Sequence, residues 1–178
     1  AVGLTLMGVR FQNWPQDRRD GMAALFSRVA FKPTDEWKEE IVLCDPAPTD
    51  PLKAVFPDGT AVIVKPGDDP RNVFADWLIT GENPWFSRNI ANRVWTWLLG
   101  RGIIHEPDDI RPDNLPVNPE LLAYLQKELV EAKYDLKHLF RIVLNSRTYQ
   151  QSPIARGPTA TAEAIFACYP IRRLDAEV

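Results

Sequence analysis

Between His105 and Asn114 seven polar or charged residues fall within ten positions: His105, Glu106, Asp108, Asp109, Arg111, Asp113 and Asn114. A loop this rich in carboxylates offers the ligand type of a hard cation such as Ca²⁺, which takes about six to eight oxygens. The spacing does not fit an EF-hand, and the Arg111 guanidinium stands in the middle, where it repels a cation. The structural expectation is stronger. Asp109 and Arg111 lock the loop onto the helices by pairing with Arg93, Arg101 or Arg147, since bidentate Arg–carboxylate pairs fix irregular backbone well. Exposed pairs contribute little, so this role requires partial burial. A polar ligand pocket built from the same residues is the remaining reading.

A second candidate group is Asn92, Arg93 and Trp95. A sugar ring can stack its apolar face on an indole while its hydroxyls bond to amide and guanidinium. Tryptophan at helical spacing more often packs a core, and Trp77, Trp85 and Trp97 fall in apolar stripes. Core packing is thus the expectation for all of them, and Trp95, beside Arg93, is the one singled out for test. Carboxylate pairs for glycoside hydrolysis can be drawn from Asp108, Asp109 and Glu120, but that chemistry is decided by their separation. Ser146 lacks a nucleophile elbow. His105 and His138 form no dyad that spacing supports, and His138 reads as a surface or partner-facing residue. Cys44 and Cys168 fit no C-x-x-C pattern and read as two buried free thiols, with a single disulfide as the alternative.

The elements that must position these residues are mostly helices. Asp69-Pro70, Asn83-Pro84 and Asn118-Pro119 each join a side-chain N-cap to a proline that has no N–H to leave unpaired. Asp135 is a fourth cap. The helix from Pro84 ends at Gly100, a residue suited to a left-handed cap. Val73, Phe74, Trp77 and Leu78 predict one buried stripe. Leu121, Leu122, Leu125 and Leu129 predict another, and Leu136, Leu139, Phe140, Val143 and Leu144 a third. A weaker helix is expected over 159–167. Upstream, residues 1–12 read as the tail of a buried helix, and Met22, Leu25, Phe26 and Val29 share a helical face that Pro33 ends. Ile41-Val42-Leu43 and Ala61-Val62-Ile63-Val64 are β-branched runs, expected to pair with each other across the turn signal Pro57-Asp58-Gly59. The fold class is therefore mainly α: a helical domain with a small antiparallel β insertion.

The chain has 178 residues, a formal net charge of −3 and 16 prolines, which cluster where loops are expected. That charge gives no electrostatic reason for nucleic acid or an anionic membrane as partner, and no stretch approaches the about 18 apolar residues of a membrane span. There is no initiator Met and no signal-peptide pattern, and both ends read as cut from something larger.

Several ordered segments carry a resemblance: Asn83-Pro84-Trp85-Phe86, Asn92-Arg93-Val94-Trp95, Gly100-Arg101-Gly102, Asp108-Asp109-Ile110-Arg111, Asn118-Pro119-Glu120-Leu121-Leu122, Asp135-Leu136-Lys137 and 145–150, then Arg172-Arg173-Leu174 and Ala176-Glu177-Val178. In these the chain resembles the second of the planctomycete-type paired domains of unknown function, found in exported proteins with a cytochrome-c-like domain. Gly8-Val9-Arg10-Phe11-Gln12 and Asp20–Phe26 resemble the end of the first. The resemblance implies three segments: a tail of a preceding helical domain (1–32), a Pro-rich β insertion and linker (33–68), and the helical domain itself (69–178). Relatives usually carry a C-x-x-C-H segment after the position of Gln12, where this chain runs directly into Asn13-Trp14. No cofactor is therefore expected on this chain, although haem on other domains of the parent protein is compatible with the resemblance.

The functional expectation is a non-catalytic binding or scaffolding module of an exported multidomain protein, in contact with other domains of the same polypeptide and with glycan. The resemblance alone implies the periplasm or the extracellular space. The alternatives are a part of a c-type cytochrome-associated electron-transfer protein, or a hydrolase completed by an absent domain. The residues proposed for a binding or structural polar network are Asn92, Arg93, Trp95, Asp108, Asp109, Arg111, Asn114 and Arg147, with no metal.

Overall fold

Each helix that begins at an Asn-Pro or Asp-Pro step does so for the reason its sequence gives. The structure, a computed structural model, describes residues 2–35, 40–45 and 49–171. Helix α3 (Pro70–Leu78) is capped by Asp69, whose carboxylate accepts from the Arg71 N–H. Asn83 caps α4 (Pro84–Leu99) by accepting from the N–H groups of Trp85 and Phe86. Asn118 caps α5 (Pro119–Glu131) and Asp135 caps α6 (Leu136–Leu144). Such caps contribute about 1 kcal/mol each. Gly100 closes α4 in the left-handed region, at φ +77°, as its missing Cβ allows. A short α7 (Thr159–Ala164) fills part of the span expected for a last helix. Among the described residues the chain is mainly α with two small antiparallel sheets, in agreement with the sequence.

The chain divides into two compact units: Ala1–Val9 with Gly81–Val178, and Arg10–Thr80. This division differs from the three segments drawn from the resemblance, whose boundaries at 32 and 68 both fall inside the second unit. Helix α1 (Val2–Met7), expected as the tail of a preceding domain, packs on α4 with Gly3 and Leu6 buried. The Asn89 side-chain amide, itself buried, donates to the Thr5 carbonyl at 3.2 Å.

The helical unit is organised around α4, which packs against both α5 and α6. Its core joins Ala91, Val94, Trp95 and Leu99 to Leu122, Leu125 and Leu129 of α5 and to Leu139 and Val143 of α6. Ile103 and Ile104, just past the end of α4, are fully buried in the same core. The C-terminal segment is tied on by Tyr169, whose hydroxyl donates to the Leu98 carbonyl at 3.1 Å. The segments Arg172-Arg173-Leu174 and Ala176-Glu177-Val178 lie outside the described residues.

In the other unit the strands form, but with other partners than expected. Helix α2 (Gln16–Ala24) stops before Val29, which already belongs to β1 (Val29–Pro33). That strand pairs antiparallel with β2 (Glu40–Cys44), and β3 (Leu52–Val55) pairs with β4 (Ala61–Val64). The turn at Pro57-Asp58-Gly59 is where the sequence put it, closed by Phe56 N–H to Thr60 O and by Gly59 N–H to Phe56 O, with Gly59 at φ +95°. It joins β3 to β4, because Leu52–Val55 supplies a partner that ends one residue before the turn, while Ile41–Leu43 lies beyond a proline-rich link. Part of that link, at 46–48, lies outside the described residues. Arg28, 6% exposed, donates to the Asp68 and Asp50 carbonyls and so holds two connecting segments. Phe74 stands between Phe26 and Trp77, and Trp77 stacks on Phe56 at 5.0 Å.

Candidate functional site

Asn92 faces the connection between α4 and α5. It is 1% exposed, and both ends of its amide bond one peptide unit: Nδ2 donates to the Ile104 carbonyl at 3.1 Å, and the Ile104 N–H donates to Oδ1 at 2.9 Å. An asparagine can satisfy a buried donor and acceptor at once, as a carboxylate or an alkyl side chain cannot. Thr96, one turn on, donates to the Asn92 carbonyl at 2.7 Å. Gly102 makes the approach possible, since a Cβ there would lie 2.1 Å from the Ile104 oxygen and 3.1 Å from Asn92 Nδ2.

Beyond Ile104 the connection turns outward. The Asn114 amide donates to the carbonyls of His105 at 2.9 Å and Asp109 at 2.7 Å, cinching the loop. Glu106, at φ +60°, accepts from the Asp109 N–H through its carbonyl. Gly8, at φ +65°, lies under the far side, where a Cβ would come within 2.7 Å of the Ile110 oxygen and the Arg111 backbone. The charged pairs are local. Arg111 binds Asp109 in a fork, Nε to Oδ1 at 2.6 Å and Nη2 to Oδ2 at 2.9 Å, and Arg93 of α4 binds Asp108. The partners thus differ from those expected: Asp109 turns to its neighbour two residues on, and Asp108 reaches the helix. Arg101 and Arg147 make no hydrogen bond or ion pair among the described residues, and Arg147 is exposed.

Of the tryptophans expected in the core, Trp95 is there and Trp97 is not. Trp95, singled out as a sugar platform, is 2% exposed and meets Phe166 edge-on at 5.2 Å, so no ring can stack on it. Trp97, expected in the core, is 56% exposed. The hydroxyl of Ser146 donates to the Val143 carbonyl at 2.6 Å and accepts from the Tyr149 N–H, a turn contact with no base in it. His138 bonds Glu128 at 3.0 Å, joining α6 to α5. Cys44 and Cys168 are free thiols as expected, with Cys168 buried and Cys44 half-buried.

Chemically, Asp109 is set against acid catalysis. The forked hydrogen bonds from Arg111 hold the Asp109 carboxyl below the usual carboxylate range, and Arg111 is the more firmly protonated for it. A general acid needs the opposite shift. Among the described residues no three His, Cys, Asp or Glu side chains gather as metal ligands. The residues of the chain also do not fit a covalently attached haem: its two cysteines lie in different units and neither belongs to a C-x-x-C-H run. Four features escaped the sequence reading: Gly102, Gly8, Asn89 and the exposure of Trp97. For the glycines a signal was present, as each sits in a short Gly-containing motif where a close backbone approach is the ordinary reason for the residue.

No curated protein and no solved structure matches the chain. Residues 70–178 match the model of the PSD1 family, described as a protein of unknown function (DUF1553). This stretch carries every helix from α3 onward, the Asn92–Ile104 clasp and the charged loop, and by it the chain belongs to the PSD1 family.

Proposed function

We propose that the helical unit works as a non-catalytic binding or scaffolding module. One observation supports this above the rest: Asn92, Asn114, Asp108 and Asp109, the polar residues that shape the α4–α5 connection, are each engaged with backbone or with an arginine. Asn92 and Asn114 hold carbonyls and an N–H of the connection, Asp109 is held by Arg111, and Asp108 by Arg93. The product is a loop of fixed shape that presents charged side chains at the surface, which is what recognition needs and what turnover does not. A place in an exported multidomain protein, with neighbouring domains of the same polypeptide as partners, belongs to the same proposal and rests on the resemblance.

The test is an activity screen of the full chain with chromogenic glycoside, ester and phosphate substrates, run beside Asp108→Asn and Asp109→Asn. Equal and background rates are expected in all three proteins. Turnover that either substitution abolishes, with the thermal midpoint unchanged, would make the loop an active site and end this reading.

A further inference from the structure

Helix α4 buries residues on almost every side and still leaves one large indole in solvent. Trp97 is 56% exposed, whereas Val94 and Trp95 beside it are at most 2% exposed. Residues 93 and 97 are one turn apart and neighbours on the helix surface. The Cα–Cβ bond tilts toward the N-terminus, so the indole leans over the turn that carries Arg93. Arg93 is a third exposed and is fixed by its ion pair with Asp108, itself 60% exposed.

A hexose ring needs an apolar face to stack on, a donor and an acceptor. Here an indole and a guanidinium stand one turn apart on a helix, and the guanidinium holds the carboxylate of Asp108 from the following loop. The ion pair sums to no charge, which suits a neutral polyhydroxylated ring better than an ionic ligand. Along the helix no apolar patch continues from the indole, because Val94 is buried and Arg93 and Arg101 are basic, so a protein interface lacks its usual surround. We propose that Trp97, Arg93 and Asp108 form a saccharide-binding site, the indole stacking on a hexose ring and the ion pair bonding its hydroxyls. The proposal rests on the binding-module reading and moves the sugar platform from Trp95 to the opposite face of the same helix.

The experiment is titration of the full chain with soluble β-1,4-linked hexasaccharides of glucose, mannose and N-acetylglucosamine, followed by calorimetry and tryptophan fluorescence. At least one should bind and perturb the fluorescence. Trp97→Ala should weaken binding by about tenfold or more, Trp97→Phe should retain most of it, and Asp108→Asn should lie between. Thermal midpoints should not move, because the side chain is exposed. The site is overturned if no hexasaccharide binds, if Trp97→Ala binds as well as the parent, or if Trp97 in the sugar-free chain resists N-bromosuccinimide, which would mean that protein covers it. Sugar binding independent of Trp97 removes the site and leaves the module reading intact. Sugar cleavage would remove the module reading itself.

Discussion

The connection from Gly100 to Asn118 has two halves held by different physics. The first part, Gly102 to Ile104, is buried and uncharged, and the Asn92 side chain satisfies both the N–H and the carbonyl of Ile104. The second half, from His105 to Asn114, is largely exposed and carries the charges that make it conspicuous in the sequence. In the buried half every hydrogen bond replaces one that water can no longer supply, so losing a partner costs the full desolvation of the group left behind. In the exposed half water stands ready to replace whatever is removed. The conspicuous residues are therefore not the ones on which the fold depends.

The contrast is broken most severely at Gly102. Gly102→Ala places a methyl group against the Ile104 oxygen, and a loss of about 3 kcal/mol or more in urea-denaturation stability is expected. Asn92→Ala comes next: it strands a buried N–H and a buried carbonyl and should cost about 2–4 kcal/mol in the same measurement. A cost below about 1 kcal/mol would show that water enters the clasp and that the two halves are alike. Asp109→Asn should give the smallest change. Its carboxyl is held below the ordinary value of 3.8, so its contribution is complete above that pH and fades as the pH falls from there through the lower value of the folded state. The gap between parent and variant should thus be small and constant from about pH 5 to 8 and close only in stronger acid. A large gap at neutral pH would sharpen the comparison in the other direction, by showing the charged half to be structural.

What the sequence disclosed was whatever depends on near neighbours. Asp69, Asn83, Asn118 and Asp135 each cap a helix through bonds to residues two or three positions on, so the starts of these four helices were legible. Two of the four strands, β2 and β4, were legible as strands but not in their pairing, whereas Val29 read as part of a helix and Leu52–Val55 gave no strand signal. Ile41–Leu43 and Ala61–Val64 are equally good β-formers, and only the proximity of Leu52–Val55 to the turn decides which run β4 joins. Trp95 and Trp97 stand two positions apart on a helix buried around most of its circumference, so an apolar stripe gives no reason to prefer one as the exposed residue. The charged loop offered many Arg–carboxylate pairings of equal merit on paper. The chain took the shortest for Asp109, a fork across two residues, because little closure entropy opposes it.

The hydrogen bond from Asn89 to Thr5 spans 84 positions. At about 5–20 residues per second, a ribosome needs about 4–17 s to add the stretch that separates them. Through that interval α1 has been made while the surface that buries Gly3 and Leu6 has not. The entire Arg10–Thr80 unit emerges first and has time to fold, as domains generally do during synthesis. The helical unit is thus closed by an early segment waiting for a late one, and a nascent chain arrested short of α4 holds a short, uncharged and mostly apolar helix without its seat.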